Sequence, residues 1–523
     1  MIKLNKQKIN IYNIANKYPI IKKYAQIIFL FSIIVVLSKF TLRATGDSSP
    51  EFFNVLIFSL IISFFMNSKK TYYFIMLPIS VVISLYGPVG FTYGLPSYQY
   101  LVSLIATDTQ ESLEFLSLIP YKSYLYSVLI PFSFYVIHLL SYRMKINPVK
   151  NRTYIFISLI MLSLSSEAFL FIKKAQAAID KVMLEMNEFS KYTKRNDWGD
   201  VYQTDKTKYD DYILIVGESA RRDYFHVYGY PIENTPFLDS TNGTIVNGLN
   251  AGGTYTIGSL RLMLTQGNKG KWQPNYNLNI MGMLNNAGFE TYWLSNQGLF
   301  GRFDTPISSI ANKAKYSYFT KSGAYNSKNI PDSLLLKNLQ SIVSKESNEK
   351  RFIVLHTMGS HPNACDRIDD FKNQYKSKSK INNYIACYVS SIKQTDDFIK
   401  STYEMMLNND NGRTFSIMYI SDHGMVHREV NGEIQLNNNY VSKYHYDIPL
   451  VKISSDDNER KVLESRKSGL MFVNGVADWM GVEGDLIEPY DLFDGVSNKQ
   501  DYGLSKKAYK VDDPAIDITS DLM

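Results

Sequence analysis

Five long apolar stretches occupy the first third of this chain, and they limit how it can fold. They cover residues of about 24–42, 52–67, 72–90, 124–142 and 153–172. Each is close to the roughly 20 residues that a helix needs to cross a hydrocarbon core of about 30 Å. No small-residue cleavage site follows the first stretch, and further apolar stretches do, which argues against a signal peptide. We therefore predict a five-helix transmembrane domain over residues 1–175.

Basic residues between these stretches predict the orientation of the helices. Lys and Arg are concentrated in three segments, namely residues 3–23, Lys69 with Lys70, and residues 143–152. All three lie on one side of the predicted membrane, which is the cytoplasmic side by the positive-inside rule. With an odd number of spans, everything after residue 175 lies outside the cytoplasm. The net charge of +7 is mostly this topological charge, so we do not interpret it as nucleic-acid binding.

The rest of the chain reads as a polar connector over residues 176–208 and an exported domain over 209–523. A chain of 523 residues is too long for one ordinary domain. Its two cysteines, Cys365 and Cys387, both lie in the exported part, where a disulfide persists. We expect them to be bridged, and two unrelated reduced thiols are the alternative.

Short apolar runs alternate with amphipathic stretches in the exported domain. The runs are YILIV (212–216), ETYWLS (290–295), FIVLHTM (352–358), FSIMYIS (415–421) and IPLVKIS (448–454). Near-continuous apolar strands that alternate with helices are typical of a mostly parallel sheet covered on both faces. Such sheets bind ligands beyond the carboxyl ends of their strands. We predict an α/β fold with a mostly parallel sheet flanked by helices.

Three of these strands end in side chains that bind metals. Glu218 follows the first strand, His361 follows the third, and Asp422 with His423 follows the fourth. Mixed carboxylate and imidazole ligands suit Zn²⁺ or Mn²⁺. Each motif is weak alone, because Asp and Gly are also ordinary turn residues. Their equivalent positions on three strands favour a metal site.

A nucleophile for this site is expected in NAGGTYTIGSLRLMLTQ, residues 250–266. The glycines precede an amphipathic run, so the segment predicts a loop that enters a helix, where free N–H groups favour a phosphate. Thr254 and Thr256 lie at this point. Either one is a candidate nucleophile, and capping of the helix is the alternative role for both.

Together these motifs resemble the membrane-bound phosphoethanolamine transferases of Gram-negative bacteria, within the alkaline-phosphatase/sulfatase superfamily. The matching stretches, in the order of the family, are VGESARRDYFHVYGYPIENTPFLD (216–239), GGTYTIGSLRLM (252–263), LHTMGSH (355–361) and SDHG (421–424). The resemblance covers nearly the whole chain. It implies a multi-pass protein of the bacterial inner membrane whose N-terminus is cytoplasmic and whose catalytic domain is periplasmic.

The resemblance also implies roles for particular residues. Glu218, Thr256, Asp422 and His423 match the zinc ligands, one or two zinc ions being expected, with Mn²⁺ the less favoured metal. Thr256 matches the nucleophile, because the second Thr of G-T-x-T reacts in the family. His361 matches a histidine that holds the substrate phosphate or a second zinc.

A loop between the third and fourth spans carries a further family pattern, an Asn, a Thr and a Glu spaced by four. Here Ser103 replaces the Asn, while Thr107 and Glu111 match. By resemblance they contact the ethanolamine of the lipid donor. The alternative is a solvated amphipathic helix on the membrane surface.

The chain departs from the family at two places. Gly252 and Leu262 stand where lipid A-modifying members usually carry cysteines. The histidine expected about a dozen residues after D-H-G is missing, and Asn437, His427 and His445 are the candidates for its place. We assign His445 to substrate binding.

By resemblance, the chain transfers phosphoethanolamine from phosphatidylethanolamine to lipopolysaccharide or a related surface glycan through a covalent phosphothreonine. The nearest rival is a glycerol-phosphate transferase of the lipoteichoic-acid-synthase kind, with Mn²⁺. An exported phosphatase or sulfatase and a non-catalytic membrane scaffold are further alternatives.

Overall fold

A computed structural model describes most of the chain. The described residues are 19–66, 68–101, 109–146, 156, 170–192, 195–298, 306–321, 330–368, 375–409, 412–430, 433–436, 441–498 and 501–523. They form two compact units. The first comprises Met1–Tyr98 with Ile119–Asp180, and the second comprises Gln99–Leu118 with Lys181–Met523.

The first unit is a bundle of apolar helices. Its helices are Pro19–Ala44, Phe52–Phe65, Lys69–Thr71, Leu77–Tyr93 and Tyr121–Arg143, and a π-helical turn, Tyr72–Met76, continues Lys69–Thr71 into Leu77–Tyr93. The helix Leu170–Tyr192 begins in this unit and crosses the predicted boundary at residue 175.

Three of the described helices are long and apolar enough to cross a membrane, namely Ile21–Ala44, Lys69–Tyr93 and Tyr121–Arg143. They contain the predicted spans 24–42, 72–90 and 124–142. The predicted span 52–67 forms the apolar helix Phe52–Phe65, whose 14 residues reach only about 21 Å. Most of the predicted span 153–172 lies outside the described residues.

Polar and apolar side chains of this unit are distributed as in a helix bundle surrounded by hydrocarbon. Large apolar side chains face outward, and Phe74 is 82% exposed. Small polar residues are buried between the helices, where the Ser59 hydroxyl donates to the Ser38 hydroxyl at 2.9 Å. Small residues and hydroxyls at helix contacts are characteristic of membrane bundles. The distribution indicates that these helices are membrane spans.

The second unit is built on an eight-stranded sheet. Numbered along the chain, the strands are β1 Val201–Gln203, β2 Asp211–Gly217, β3 Gly243–Asn250, β4 Glu290–Gly298, β5 Tyr316–Lys321, β6 Arg351–His356, β7 Phe415–Ser421, β8 Arg428–Val430, β9 Glu433–Gln435, β10 Asp447–Ser454, β11 Arg460–Ser468 and β12 Val482–Gly484. The order in the main sheet is β11-β3-β10-β7-β2-β6-β4-β5, while β1 pairs with β12 and β8 with β9.

The direction of the strands confirms a mostly parallel sheet. From β7 to β5 all neighbours are parallel, and β11 is parallel to β3. Only β10 runs against its two neighbours, β3 and β7. The carboxyl ends of β2, β6 and β7 therefore meet at one edge of the sheet.

Helices cover both faces of this sheet. They are Pro236–Ser240, Thr256–Met263, Ile280–Asn286, Pro306–Ala311, Ser333–Val343, Lys380–Leu407, Lys443–Tyr446, Phe472–Met480 and Leu504–Ala508, and Thr109–Ser117 belongs to the same unit. All residues of β2 are buried. Tyr212 and Leu214 pack in the core on one face, and Ile213 and Ile215 pack in the core on the other. This double burial explains why β2 is an unbroken apolar run.

The predicted disulfide is confirmed. Cys365 and Cys387 are joined, with their Cα atoms 4.8 Å apart. The bond links the 3₁₀ turn Ala364–Arg367, which follows His361, to the long helix Lys380–Leu407. It therefore anchors the segment that carries His361 to a helix of the core.

Candidate active site

The ends of β2 and β7 bring three predicted metal ligands together. Glu218, Asp422 and His423 are buried, and one ligand atom of each lies within 4.8 Å of the others. The His423 Nε2 atom is 3.4 Å from Glu218 Oε1 and 3.3 Å from Asp422 Oδ2. The prediction that these parallel strands deliver their terminal side chains to one place is confirmed for these three.

Two tight backbone approaches fix this edge of the sheet. Gly359 has a φ of 44°, and a Cβ there would lie 2.9 Å from the Glu218 nitrogen. A Cβ on Gly424 would lie 1.8 Å from the Tyr444 carbonyl oxygen. The glycines of M-G-S-H and D-H-G are therefore required, the first by a left-handed backbone and close packing and the second by close packing alone.

Asp422 and His423 are oriented by the surrounding backbone. Asp422 Oδ1 accepts hydrogen bonds from the N–H groups of Ser219 at 2.9 Å and His423 at 2.7 Å. Asp422 Oδ2 is buried and accepts no hydrogen bond from any described residue. His423 Nδ1 donates to the Gly424 carbonyl at 2.5 Å, so Nε2 is the ring atom directed at the carboxylates.

Thr256 completes the cluster. It is the first residue of the helix Thr256–Met263, and its hydroxyl donates to Glu218 Oε2 at 2.9 Å and lies 3.5 Å from His423 Nε2. Tyr255 occupies the N-cap, without a side-chain cap. The alternative in which the threonines cap this helix is therefore wrong. Of the two, Thr256 is the one whose hydroxyl contacts the predicted ligands.

A serine attaches this helix to the ligand loop. The Ser259 hydroxyl donates to the Asp422 carbonyl at 2.5 Å and accepts from the Gly252 N–H at 3.1 Å. Ser259 is fully buried. It therefore fixes the distance between the start of the helix and the strand end that carries Asp422.

Glu218 is held by two further side chains. The Ser219 hydroxyl donates to Glu218 Oε1 at 2.6 Å, and Ser219 itself has a left-handed backbone with a φ of 55°. Gln297, at the end of β4, donates from Nε2 to Glu218 Oε2 at 2.9 Å and to the Thr357 carbonyl at 3.0 Å. The Oε2 atom that accepts from Thr256 is thus also fixed by an amide.

The charges of the three ligands depend on one another. Burial acts to raise the pKa of Glu218, but the hydrogen bond and positive charge of His423 lower it well below its usual range. Burial, together with the charge of Glu218, raises the pKa of Asp422 well above its usual range. Burial alone would lower the pKa of His423, but the charges of both carboxylates raise it to about 9. The two carboxylates therefore hold a positive charge between them.

These side chains fit a divalent cation. Asp422 Oδ2 accepts no hydrogen bond among the described residues, and His423 Nδ1 donates to Gly424, so Nε2 is the ring atom that a cation would bind in place of its proton. A nitrogen and carboxylate oxygens are suitable ligands for Zn²⁺. Glu218 and Asp422 also accept hydrogen bonds from neighbouring groups, as ligating carboxylates usually do.

Two other predicted site residues lie near this cluster. His361 lies close enough to Glu218 that a protonated His361 ring would lower the pKa of Glu218, and His361 Nδ1 lies 3.3 Å from Arg367 Nη2. His445 is fully buried, and its backbone carbonyl accepts from the Gly424 N–H at 2.8 Å. Its Nδ1 accepts from the Ser442 N–H at 3.3 Å, so the neutral ring carries its proton on Nε2.

The other candidates have different outcomes. His427 Nδ1 lies 3.1 Å from the Tyr224 hydroxyl, and burial lowers the pKa of His427 well below its usual range. Thr107 and Asn437 lie outside the described residues. Glu111 falls in the helix Thr109–Ser117, which belongs to the same unit as the predicted metal ligands.

Sequence reasoning missed Gln297, Ser219 and Ser259. The sequence contained one usable signal, because Gln297 lies two residues after the predicted strand ETYWLS and the carboxyl ends of parallel strands share an edge. No comparable signal identified Ser259, whose partner Asp422 is 163 residues away.

Comparisons with known proteins agree with this arrangement. The sulfatase family profile matches residues 210–482, so the second unit contains a sulfatase-type domain. A Haemophilus influenzae protein provisionally named a phosphoethanolamine transferase is 40% identical over 78% of this chain and 86% of its own length. Phosphoethanolamine transferase OpgE of Escherichia coli is 32% identical over 77% of this chain and 79% of its own length. The chain belongs to the phosphoethanolamine transferase family of the alkaline-phosphatase superfamily.

Solved structures share the fold. The integral membrane lipooligosaccharide phosphoethanolamine transferase A of Neisseria meningitidis aligns with a TM-score of 0.60 at 16% identity, over 87% of this chain and 97% of its own. The periplasmic domain of EptC from Escherichia coli, in complex with zinc, aligns with a TM-score of 0.50 at 20% identity, over 60% of this chain and 97% of its own.

Proposed function

We propose that this chain transfers phosphoethanolamine from phosphatidylethanolamine to lipopolysaccharide or a related surface glycan, with Thr256 as the nucleophile. One observation carries the proposal: the Thr256 hydroxyl starts a helix and donates to Glu218 within the cluster that fits a cation. The names of the relatives support phosphoethanolamine as the transferred group. The N. meningitidis neighbour, a lipooligosaccharide enzyme, supports an acceptor of this class.

Zinc is the proposed cofactor, held by Glu218, Asp422, His423 and the Thr256 oxygen. The zinc complex of the related EptC domain supports this choice. Zinc supplies a positive charge that favours the threonine alkoxide and neutralises charge on the phosphoryl group. Ser219, Gln297 and Gly424 hold the ligands in the positions that this role requires.

The chain's own residues carry the transfer in two steps. In the first, a bond forms between Thr256 Oγ1 and phosphorus as the bond from phosphorus to the diacylglycerol oxygen breaks. The Thr256 hydroxyl proton leaves by way of Glu218 Oε2 to the diacylglycerol oxygen, which departs as an alcohol. In the second, an acceptor hydroxyl oxygen bonds to phosphorus, the bond from phosphorus to Thr256 Oγ1 breaks, and the acceptor's proton passes to Thr256. The start of the helix at Thr256 directs backbone N–H groups toward the phosphoryl oxygens.

His445 and His361 are proposed to bind the phosphoryl oxygens. The His445 Nε2–H is buried and donates to no described residue, so it is available to an anionic oxygen. The surroundings of His445 favour its neutral ring. Burial, and after it the charge of His423, lowers the pKa of His445 well below its usual range. A neutral donor binds the phosphate without adding a second cation beside His423.

The donor lipid is proposed to reach this site from the membrane. Thr107 and Glu111 would contact the ethanolamine ammonium, because a carboxylate near the bilayer surface attracts that cation and orients the phosphorus. The apolar helices support a membrane location, and we propose the inner membrane, with a periplasmic catalytic domain and a cytoplasmic N-terminus.

Mass spectrometry of lipopolysaccharide and other periplasmic glycans tests this function. Cells that express the chain should show a phosphoethanolamine increment, and cells that express Thr256→Ala at equal abundance should not. An increment of glycerol phosphate would support the lipoteichoic-acid-synthase rival. No increment on any glycan, together with hydrolysis of soluble phosphodiesters, would support an exported phosphatase.

A further inference from the structure

A buried ion pair connects the helix that carries Glu111 to His361. Arg367 Nη2 and Glu114 Oε2 are in contact, and the two side chains are only 4% and 11% exposed. Glu114 lies in the helix Thr109–Ser117, one turn after Glu111, and Arg367 ends the 3₁₀ turn that follows His361. Both residues belong to the second unit.

Arg367 also contacts the imidazole of His361. Its Nη2 lies 3.3 Å from His361 Nδ1 and 3.5 Å from the Pro362 carbonyl. A guanidinium is always charged and has no acceptor, so it can only donate to Nδ1. The His361 ring in this contact must therefore present a lone pair at Nδ1 and carry its proton on Nε2.

Three anchors fix Arg367 itself. Its side chain is held by Glu114, its carbonyl accepts from Gln394 Nε2 at 3.0 Å, and the disulfide at Cys365 attaches the same turn to the helix Lys380–Leu407. A side chain held in this way determines the rotation of its partner imidazole as well as its tautomer.

We propose that Arg367, held by Glu114, is a positioning residue that fixes His361 as an Nε2–H donor to the phosphoryl group. Because Glu114 lies in the helix that carries Glu111, the pair also couples this phosphate contact to the helix proposed to bind the ethanolamine. The inference rests on the proposed function. It selects phosphate binding for His361 over ligation of a second zinc, because a zinc-bound Nε2 would need the lone pair that this tautomer lacks. It also means that binding of the phosphoryl group by His361 and binding of the ethanolamine by the helix Thr109–Ser117 depend on each other.

A double-mutant cycle between Arg367 and His361 tests the proposal. Turnover of phosphatidylethanolamine is measured for the full chain in detergent, for Arg367→Gln, for His361→Gln and for the double variant. We expect Arg367→Gln to lower kcat about tenfold in the wild-type background, as loss of one charge-assisted hydrogen bond predicts, and less than twofold in the His361→Gln background. Equal losses in both backgrounds would overturn the proposal.

Conservative variants separate positioning from folding. Arg367→Lys keeps the charge beside Glu114 and should restore part of the loss in kcat, whereas Glu114→Gln should reproduce the effect of Arg367→Gln. The matched control is Arg413→Gln, which breaks a comparable pair with Asp211 at the opposite end of β2. It should lower the melting temperature without changing kcat at a permissive temperature. A fall in kcat in this control as large as in Arg367→Gln would mean that any broken buried pair has the same effect.

The tautomer can be read without activity. In the full chain labelled with ¹⁵N-histidine, the His361 signal, identified by its loss in His361→Gln, should show a protonated Nε2 and an unprotonated Nδ1. A protonated Nδ1 would overturn the proposal even if transfer of phosphoethanolamine is confirmed. Absence of transfer in the wild-type protein would instead contradict the proposed function and leave the tautomer result to decide this inference.

Discussion

Replacing Gln297 by Leu should weaken zinc binding about tenfold. The amide of Gln297 donates at 2.9 Å to Glu218 Oε2, the oxygen that also accepts from Thr256. A hydrogen bond to a charged group contributes about 1.5 to 3 kcal/mol, and each 1.4 kcal/mol is about a factor of ten in affinity. Gln297 is only partly buried, so water replaces part of the interaction and the lower figure applies. Leu keeps a similar volume, and the Thr357 carbonyl loses its donor as well.

The assay is chelator competition for zinc on the full chain in detergent, with turnover measured at saturating zinc. We expect kcat to fall even when zinc is saturating, because Glu218 Oε2 then has one fewer group to orient it toward Thr256. The matched control is Asn247→Leu, which removes an amide on β3 that donates at 2.9 Å to both oxygens of Glu464 on β11, in an exposed side-chain contact. Unchanged zinc affinity and kcat in Gln297→Leu would refute the reasoning, and equal losses in both variants would indicate general destabilisation.

Four further outcomes are expected. Thr256→Ala should abolish transfer and weaken zinc binding. The protein should still fold, because the lost hydroxyl is not an N-cap. An adduct trapped on Thr254 in the wild-type protein would contradict this prediction. Glu218→Gln and Asp422→Asn should each lower zinc content and turnover together, as metal analysis beside activity will show, because a neutral amide is a poor ligand. Replacing Cys365 and Cys387 by Ala should lower the free energy of unfolding by about 3 kcal/mol in the chain-entropy account, measured by denaturant titration against the oxidised protein. Glu111→Ala should impair transfer from the lipid while sparing hydrolysis of a small soluble phosphodiester, and equal loss on both substrates would indicate misfolding.

The sequence predicted the sheet best where strands are buried on both faces. The strands β2, β4, β6, β7 and β10 were each visible as apolar runs of the right length. Three strands of the main sheet were missed. β3 contains Gly and Asn within GTIVNGLN, and β11 is largely exposed along RKVLESRKS, so neither resembles a buried strand. β11 and the third missed strand, β5, are the two edge strands of the sheet, where pairing depends on the neighbour more than on the strand's own residues.

The ligands of the candidate site were predictable because each directly follows a buried strand. Glu218, Asp422 and His423 need no knowledge of tertiary contacts beyond the rule that parallel strands share their carboxyl edge. The residues that orient them follow no such rule. Arg367 contacts Glu114 across 253 residues, and neither residue directly follows a predicted strand. Contacts of this kind depend on the path that each loop takes near the carboxyl edge of the sheet, and no local sequence pattern predicts that path.

The electrostatics of the cluster explain why its supporting hydrogen bonds are so numerous. Two carboxylates buried within 4.8 Å of each other repel, and burial raises the pKa of Asp422 well above its usual range. Asp422 Oδ1 accepts from two backbone N–H groups, and Glu218 accepts from the side chains of Ser219, Gln297 and Thr256. All five donors are neutral dipoles, and the last of them belongs to the proposed nucleophile. Dipoles held in this way stabilise negative charge without supplying a competing cation. The site therefore keeps both carboxylates close to His423 Nε2 while leaving Asp422 Oδ2 and His423 Nε2 available to a divalent ion, and the Thr256 hydroxyl donates to the Glu218 oxygen that Gln297 also holds.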